Sequence, residues 1–255
     1  MYSKTMPCSI CRQSGHNRLT CANNTTLPKK YTKGHGKTCL HNGISYEHQT
    51  ITKLCGLLYD GLPIQNITGK TGGSTTNPDV PLQIGNNKVN IEAKNKGGFE
   101  AGGKSMKIIN NKLKCPDGTL HNDVLNGKTP WSGRIPSFIN GDKSLHTWNR
   151  EKQNFRDEYY RILPNVISAY YKSKSVDYIQ VEGKGLYHTG NDVLCLGVPL
   201  FECRARIRIR CKQHGSTPMP SSVQAVFTFD KRSLETSKYD IDNKLPGCFT
   251  TTISI

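Results

Sequence analysis

The chain has 255 residues, with 35 lysines and arginines against 19 aspartates and glutamates, and a formal net charge of +16 at pH 7. No apolar run approaches the length of a membrane span, and the first residues hold no secretory apolar segment. Ten cysteines without a regular framework argue against a disulfide scaffold. We therefore expect an intracellular protein in a reducing compartment that does not bind a membrane.

The positive charge is spread along the chain. Seven basic residues and no acid lie in the first 40 positions, which leaves 28 basic and 19 acidic residues, or +9, for the rest. This distribution favours a protein that follows a phosphate backbone. A polybasic membrane patch is the alternative, but no amphipathic basic helix or apolar anchor accompanies the charge.

Four metal-binding side chains lie close together near the amino terminus: Cys8, Cys11, His16 and Cys21. Three thiolates and one imidazole complete a tetrahedral shell around zinc, and a segment this short would fold only with its metal. The spacing C-x2-C-x4-H-x4-C resembles the zinc knuckle family, which implies structural Zn²⁺ and a grip on single-stranded nucleic acid or, less often, protein. Similar knuckles in eukaryotic and large DNA virus proteins make a virus-encoded origin one expectation. We expect a knuckle over residues 1–25 and a basic linker over residues 26–40.

Residues 44–60 carry apolar side chains at helical spacing and are predicted to form a helix with one buried stripe. Glu47 lies on that stripe, four residues before Ile51. A buried carboxylate needs a partner, because burying an unpaired charge is unfavourable. The alternative is a first-turn glutamate that is favoured by the helix dipole.

Residues 80–94 contain two β-prone segments on either side of Gly85-Asn86-Asn87, which predicts a hairpin. Because side chains alternate along a strand, Glu92 and Lys94 share one face, and the hairpin brings Asp79 towards that face. Two carboxylates this close repel each other unless a divalent cation joins them, and such an oxygen-rich site suits magnesium. The alternative is a turn aspartate beside a solvated Glu–Lys pair.

The runs Asn77-Pro78-Asp79 and Ile91-Glu92-Ala93-Lys94 resemble the motif of the PD-(D/E)xK nuclease superfamily, which includes the type II restriction endonucleases. The resemblance covers the hairpin and, loosely, the order of elements over residues 41–230. It implies that Asp79, Glu92 and the main-chain carbonyl of Ala93 hold Mg²⁺, and that Glu47 adds to the metal site. It also implies that Lys94 orients or activates the attacking water.

Residues 95–146 are rich in glycine, asparagine and lysine, and we expect a long functional loop region there. Lys96 and Lys104 are candidate DNA contacts within this region, although solvated lysines are the alternative. Residues 149–163 are predicted to form a helix that continues briefly to residue 171. Residues 176–181 are predicted to form a strand.

Four arginines alternate with apolar residues along a further predicted strand: Arg204, Arg206, Arg208 and Arg210. Alternation places all four on one face, and residues 223–229 alternate as the expected hairpin partner. We predict that the arginine face contacts DNA phosphates. A charged edge strand that is protected against aggregation would have the same pattern.

The order of these elements favours an α/β fold with a restriction-endonuclease-like core, in which helices flank a mixed β-sheet over residues 41–255. The expected function is Mg²⁺-dependent hydrolysis of DNA phosphodiesters, with sequence-specific cleavage of double-stranded DNA as the leading form. A repair or recombination nuclease that recognises DNA structure and a non-catalytic nucleic-acid-binding protein are the alternatives. By analogy with restriction enzymes, which match palindromic sites by two-fold symmetry, we expect a homodimer.

Overall fold

The structure, a computed structural model, describes residues 35–67, 77–96, 100–213 and 217–251. Residues Cys39–Ile255 form one compact unit. The predicted knuckle and most of the predicted linker lie outside the described residues. Within the described part there are four α-helices: α1 (His35–Cys55), α2 (Thr119–Val124), α3 (Leu145–Glu151) and α4 (Pro164–Ser173).

The strands form two sheets rather than the single mixed sheet that we expected. Their bounds are β1 (Leu57–Tyr59), β2 (Leu62–Asn66), β3 (Val80–Ile84), β4 (Asn87–Lys94), β5 (Glu100–Ile109), β6 (Lys112–Lys114), β7 (Glu158–Ile162), β8 (Tyr178–Val181), β9 (Gly185–His188), β10 (Arg204–Lys212), β11 (Ser222–Asp230) and β12 (Phe249–Thr251). The first sheet has the order β12-β1-β2-β3-β4-β8-β9, and the second has the order β6-β5-β11-β10-β7. The pairing of β4 with β8 is parallel, which makes the first sheet mixed.

The centre of the first sheet is buried on both faces. Tyr178 and Leu186 face a core that α1 shares, whereas Ile179 and Tyr187 face a core shared with α4 and the second sheet. Successive strand residues point to opposite faces, so a strand with a core on each side is buried throughout. All four residues of β8 are accordingly buried. The mixed α/β class is confirmed, in a form with two sheets and few helices.

Both predicted hairpins are confirmed. β3 pairs antiparallel with β4, and β10 pairs antiparallel with β11 over nine residue pairs. The predicted helix over residues 44–60 is confirmed as far as Cys55, where α1 ends, but its last residues belong to β1 instead.

The prediction of a loop region over residues 95–146 is wrong, because β5 is a ten-residue strand whose Ala101 and Met106 lie in the core. Its two glycines lie close to side chains of neighbouring elements. A Cβ atom on Gly102 would lie 2.8 Å from the Tyr170 ring, and one on Gly103 would lie 2.6 Å from the Gln224 amide. Within β5, close approach to neighbouring side chains, together with a φ of 64° at Gly102, accounts for these two glycines.

The predicted helix over residues 149–163 is also wrong in its second half. α3 ends at Glu151, and the chain passes through a 3-10 turn, Lys152–Phe155, into β7. β7 contains two adjacent tyrosines and pairs with β10 from Glu158 to Ile162. Aromatic residues favour strands, and this cross-strand pairing outweighs the helical pattern of the preceding residues. The predicted strand at residues 176–181 is confirmed as β8.

Candidate active site

The β3–β4 hairpin brings the acidic motif together. Its two-residue turn begins at Gly85, which has φ of 56°, the conformation that a type II′ turn requires at its first central position. Val80 lies opposite Ile91, so the next position along places Asp79 opposite Glu92. Residues directly opposite each other in antiparallel strands share a face. The two carboxylates therefore start from neighbouring positions on one side of the sheet.

Asp79, Glu92 and Lys94 converge in a buried cluster. The Lys94 ammonium donates to Oε1 of Glu92 at 2.5 Å and lies 3.8 Å from Oδ2 of Asp79. The same Asp79 oxygen accepts a hydrogen bond from the main-chain nitrogen of Ala93 at 3.2 Å. Glu92 is 1% exposed, and Asp79 is also buried. The solvated pair that was the alternative interpretation is excluded, because these groups are not on the surface.

Lys174 is a fourth member of the cluster that the sequence did not indicate. Its ammonium donates to Oε2 of Glu92 at 2.6 Å, and its side chain is 4% exposed. Lys174 directly follows α4, and the parallel pairing of β8 with β4 brings the end of this helix next to Glu92. In the sequence it stands in an ordinary polar run, Lys172-Ser173-Lys174-Ser175. Only the three-dimensional pairing distinguishes it from a solvated lysine.

Glu47 of α1 completes the group of buried carboxylates. It is 9% exposed, and its Oε2 atom is buried without a hydrogen-bond partner. Burial and the neighbouring negative charge of Asp79 raise the pKa of Glu47 to about 7. The first-turn interpretation of Glu47 is wrong, because the helix begins at His35, three turns earlier.

The electrostatic environment differs between the two carboxylates of the hairpin. Burial raises the pKa of Asp79 above its ordinary value, and the negative charge of Glu92 adds to this effect. Burial alone would also raise the pKa of Glu92, but the charges of Lys94 and Lys174 outweigh it and lower that pKa. Glu92 is therefore held as the carboxylate, while Asp79 and Glu47 compete for a proton near neutral pH.

Formal charges in the cluster do not balance. With every group ionised, three carboxylates stand against two ammonium groups. The proton that Glu47 holds up to about pH 7 balances the charges, and its release leaves one negative charge and the unpartnered Oε2 atom of Glu47 without a cation. A small divalent cation with a preference for oxygen ligands fits this deficit. The Ala93 carbonyl oxygen is a further candidate metal ligand. The N–H and C=O groups of a strand residue point to the same side of the strand, and the Ala93 N–H donates to Asp79.

As the side chains stand, no three histidine, cysteine, aspartate or glutamate side chains among the described residues are grouped to hold a metal ion. In addition, both oxygens of Glu92 are engaged by ammonium groups. The expected ligand set needs only two carboxylates and a carbonyl, since Mg²⁺ retains several waters in protein sites. Asp79, Glu92 and the Ala93 carbonyl could supply such a ligand set, but the Oε1 atom of Glu92 is bound by Lys94 in this structure.

The four arginines of β10 that we predicted to contact DNA differ in their exposure and in their contacts within the protein. β10 lies between β11 and β7, so the alternative interpretation as a protected edge strand is wrong. Arg208 donates to Asp157 at 2.6 Å and to Glu100 at 2.7 Å, and Arg210 lies 3.0 Å from the same glutamate. These two arginines are engaged in ion pairs within the protein.

The other two arginines are more available. Arg204 forms an ion pair of 3.0 Å with Asp230, but its side chain is 78% exposed. The Arg206 guanidinium lies over the exposed Tyr159 ring, 3.9 Å from its centre. Cation–π stacking of this kind leaves the guanidinium edge free to donate hydrogen bonds.

The two predicted lysine contacts also differ. Lys96 is exposed two residues after Lys94. Lys104 pairs with the buried Ala225 of β11 and lowers the pKa of the neighbouring Cys115 thiol, although burial raises that pKa more. Because Ala225 belongs to the core, Lys104 lies on the opposite face of the second sheet from the arginines.

Comparison with protein-family models, with curated protein sequences and with solved structures gave no match. The similarity to the PD-(D/E)xK superfamily and to zinc knuckles therefore rests on the residues of this chain alone. Within the described residues, no helix is long and apolar enough to cross a membrane.

The buried pair between Lys174 and Glu92 yields a prediction about stability. Replacing Lys174 with methionine leaves Glu92 with one ammonium partner instead of two, so we expect a loss of about 3 kcal/mol in the free energy of unfolding. Lys172→Met, two residues earlier on the exposed side of α4, is the control and should change stability by less than about 0.5 kcal/mol. Equal effects of the two substitutions in urea denaturation would show that Lys174 is not part of a buried cluster.

Glu47 yields a prediction about pH. In the folded protein Glu47 keeps its proton up to about pH 7, whereas in the unfolded chain it loses that proton near its ordinary pKa of 4.5. The free energy of unfolding therefore falls as the pH rises between these two values. In EDTA, Glu47→Gln should match the wild type at pH 4 and exceed its stability at pH 8 by about 1–2 kcal/mol, after allowance for solvent screening. The exposed Glu202→Gln is the control and should follow the wild type throughout. A Glu47→Gln curve parallel to the wild type would contradict the assigned burial.

Proposed function

We propose that this chain is a Mg²⁺-dependent endonuclease that hydrolyses DNA phosphodiester bonds, with duplex DNA as its substrate and sequence-specific cleavage as its mode. The observation that carries the proposal is the buried cluster of Asp79, Glu92 and Lys94 beside the unpartnered carboxylate of Glu47. A purely structural ion-pair cluster would be expected to balance its charges, because an unpaired buried carboxylate is unfavourable. A deficit of positive charge in an oxygen-rich group is typical of a cation site.

Asp79, Glu92 and the carbonyl of Ala93 would hold the metal ion, and Glu47 would complete its surroundings. When bound, Mg²⁺ would neutralise charge on the scissile phosphate and lower the pKa of a coordinated water. Lys174 would keep Glu92 ionised and fixed, because its buried ammonium donates to the Oε2 atom of Glu92. Lys94 would have a different role from Lys174, since its ammonium lies near both Glu92 and Asp79 rather than Glu92 alone. It would turn towards the phosphate, orient the attacking water and stabilise the developing negative charge.

The amino-terminal residues would carry a second metal site. Cys8, Cys11, His16 and Cys21 would bind structural Zn²⁺ and hold single-stranded nucleic acid, and the enzyme would act as a homodimer inside the cell. Zinc analysis of the intact protein tests the first point, with Cys11→Ser as the variant that opens the shell and the exposed Cys195→Ser as its control. Zinc retained by Cys11→Ser would remove these ligands from the proposal.

One observation favours a second candidate. Both oxygens of Glu92 are engaged by lysines, an arrangement that also suits a non-catalytic protein in which the cluster only supports the fold. Such a protein would bind nucleic acid through its basic surface and leave it intact.

Incubation of the purified protein with supercoiled plasmid, in Mg²⁺ and in EDTA, separates these candidates. Discrete linear fragments in Mg²⁺ support sequence-specific cleavage, whereas cutting confined to branched or single-stranded sites supports the structure-specific alternative. Intact plasmid in every divalent cation, with retained DNA binding, would favour the non-catalytic protein.

The same assay tests the residues. We expect Asp79→Asn, Glu92→Gln and Lys94→Ala each to lower the cleavage rate by at least about 10²-fold, because all three act at one phosphate. Lys88→Ala is a matched control, since this lysine lies on the same strand as Lys94 but is exposed beside the turn. Wild-type cleavage by a folded variant at any of the three positions would refute the assigned site.

A further inference from the structure

A chain of contacts leads away from the catalytic hairpin. Lys96 follows β4, and its main-chain nitrogen donates to Glu182 at 2.5 Å. Its main-chain oxygen accepts a hydrogen bond from the ammonium of Lys231. Lys231 opens a short 3-10 turn, Lys231–Ser233, directly after β11. This turn is therefore attached to the segment that leaves the cluster.

The same turn carries a concentration of positive charge. Asp230 accepts from Arg204 at 3.0 Å and lies 3.3 Å from Arg232, so one acid serves two arginines. Their side chains are 78% and 88% exposed. A groove of about 360 Å³ lies between them and is lined by Arg204, Arg206 and Arg232 together with Asp230. The surroundings of Asp230 thus carry an excess of exposed guanidinium groups.

The two ends of β10 differ in how their arginines are used. Arg208 and Arg210 are less than one-third exposed and are matched by Glu100 and Asp157. Arg206 is stacked on Tyr159 rather than paired with an acid. Positive charge available to a partner is therefore concentrated at the end of β10 that adjoins the 3-10 turn, the end connected to Lys96 and the cluster.

We propose that Lys96, Lys231, Arg232, Arg204 and Arg206 form a basic track that binds the phosphate backbone of duplex DNA beside the scissile phosphate. Five cations stand against two acids, Asp230 and Glu182, in these contacts. Exposed guanidinium groups bind phosphate oxygens with paired, charge-assisted hydrogen bonds. The track begins at Lys96, two residues after Lys94, where the chain leaves β4. Its catalytic meaning rests on the proposed function, but its DNA binding does not.

The test compares two double variants that each lose two positive charges. Arg204→Gln with Arg232→Gln removes the arginines around Asp230. Lys112→Gln with Lys114→Gln removes exposed lysines on β6, the opposite edge strand of the second sheet. Binding of the full-length protein to a fluorescent DNA duplex, and separately to one of its single strands, is measured by anisotropy in EDTA over a range of salt concentrations, so that no cleavage is required.

We expect the arginine variant to bind more weakly and to reduce the slope of log affinity against log salt by about 2, roughly one for each lost phosphate contact. The lysine variant should retain the wild-type slope. Equal slopes for the wild type and the arginine variant would overturn the track. A loss of single-stranded binding without a loss of duplex binding would overturn the choice of duplex DNA.

Failure of this inference is distinguishable from failure of the proposed function. If the arginine variant keeps its affinity while the wild type cleaves plasmid in Mg²⁺, the proposed nuclease activity is supported and the DNA binds to another surface of the protein. If the arginine variant loses affinity while the wild type cleaves nothing, the track stands and the nuclease does not.

Discussion

The burial of five charged side chains in one cluster is the constraint on which the rest of the site depends. Asp79, Glu92 and Glu47 bring three negative charges out of water, and Lys94 and Lys174 return only two positive ones. An uncompensated buried carboxylate shifts its pKa until it holds a proton, unless a cation replaces that proton. Glu47 holds a proton in the absence of a cation, because burial and the negative charge of Asp79 raise its pKa. A divalent cation is the alternative solution, and it is the one that would allow chemistry on a phosphate.

The fold assembles this cluster through two separate pairings. The β3–β4 register sets Asp79 opposite Glu92, and a slip of one residue would send Glu92 to the face covered by α1. The parallel pairing of β4 with β8 brings Lys174 from the end of α4. Because β4 is covered on both faces, these side chains are held away from water by packing on either side. Glu92 and Lys94 therefore occupy strand positions, Asp79 directly precedes β3, and Glu47 belongs to a helix, and such regular elements hold geometry more rigidly than loops.

The sequence predicted those elements whose formation depends on residues that are close together in the chain. The hairpin over residues 80–94 and the alternation of β10 follow from neighbouring residues, and both are confirmed. β5 was not predicted, because Gly102 and Gly103 look like loop residues in the sequence and their closeness to Tyr170 and Gln224 depends on long-range packing. The role of Lys174 and the pairing of Arg208 with Asp157 escaped prediction for the same reason. Long-range contacts decide whether a charged residue in a polar run is buried or solvated.

A divalent cation at the cluster is the point on which the proposed chemistry depends. Anomalous diffraction from crystals soaked in Mn²⁺, which occupies magnesium sites, locates such a cation directly. We expect one strong peak between the carboxylates of Asp79 and Glu92, with the Lys94 ammonium moved off Glu92 and the Lys174 contact retained. Both lysines still bound to Glu92, with no peak among the buried carboxylates, would contradict a metal-dependent site and leave the cluster as a structural one.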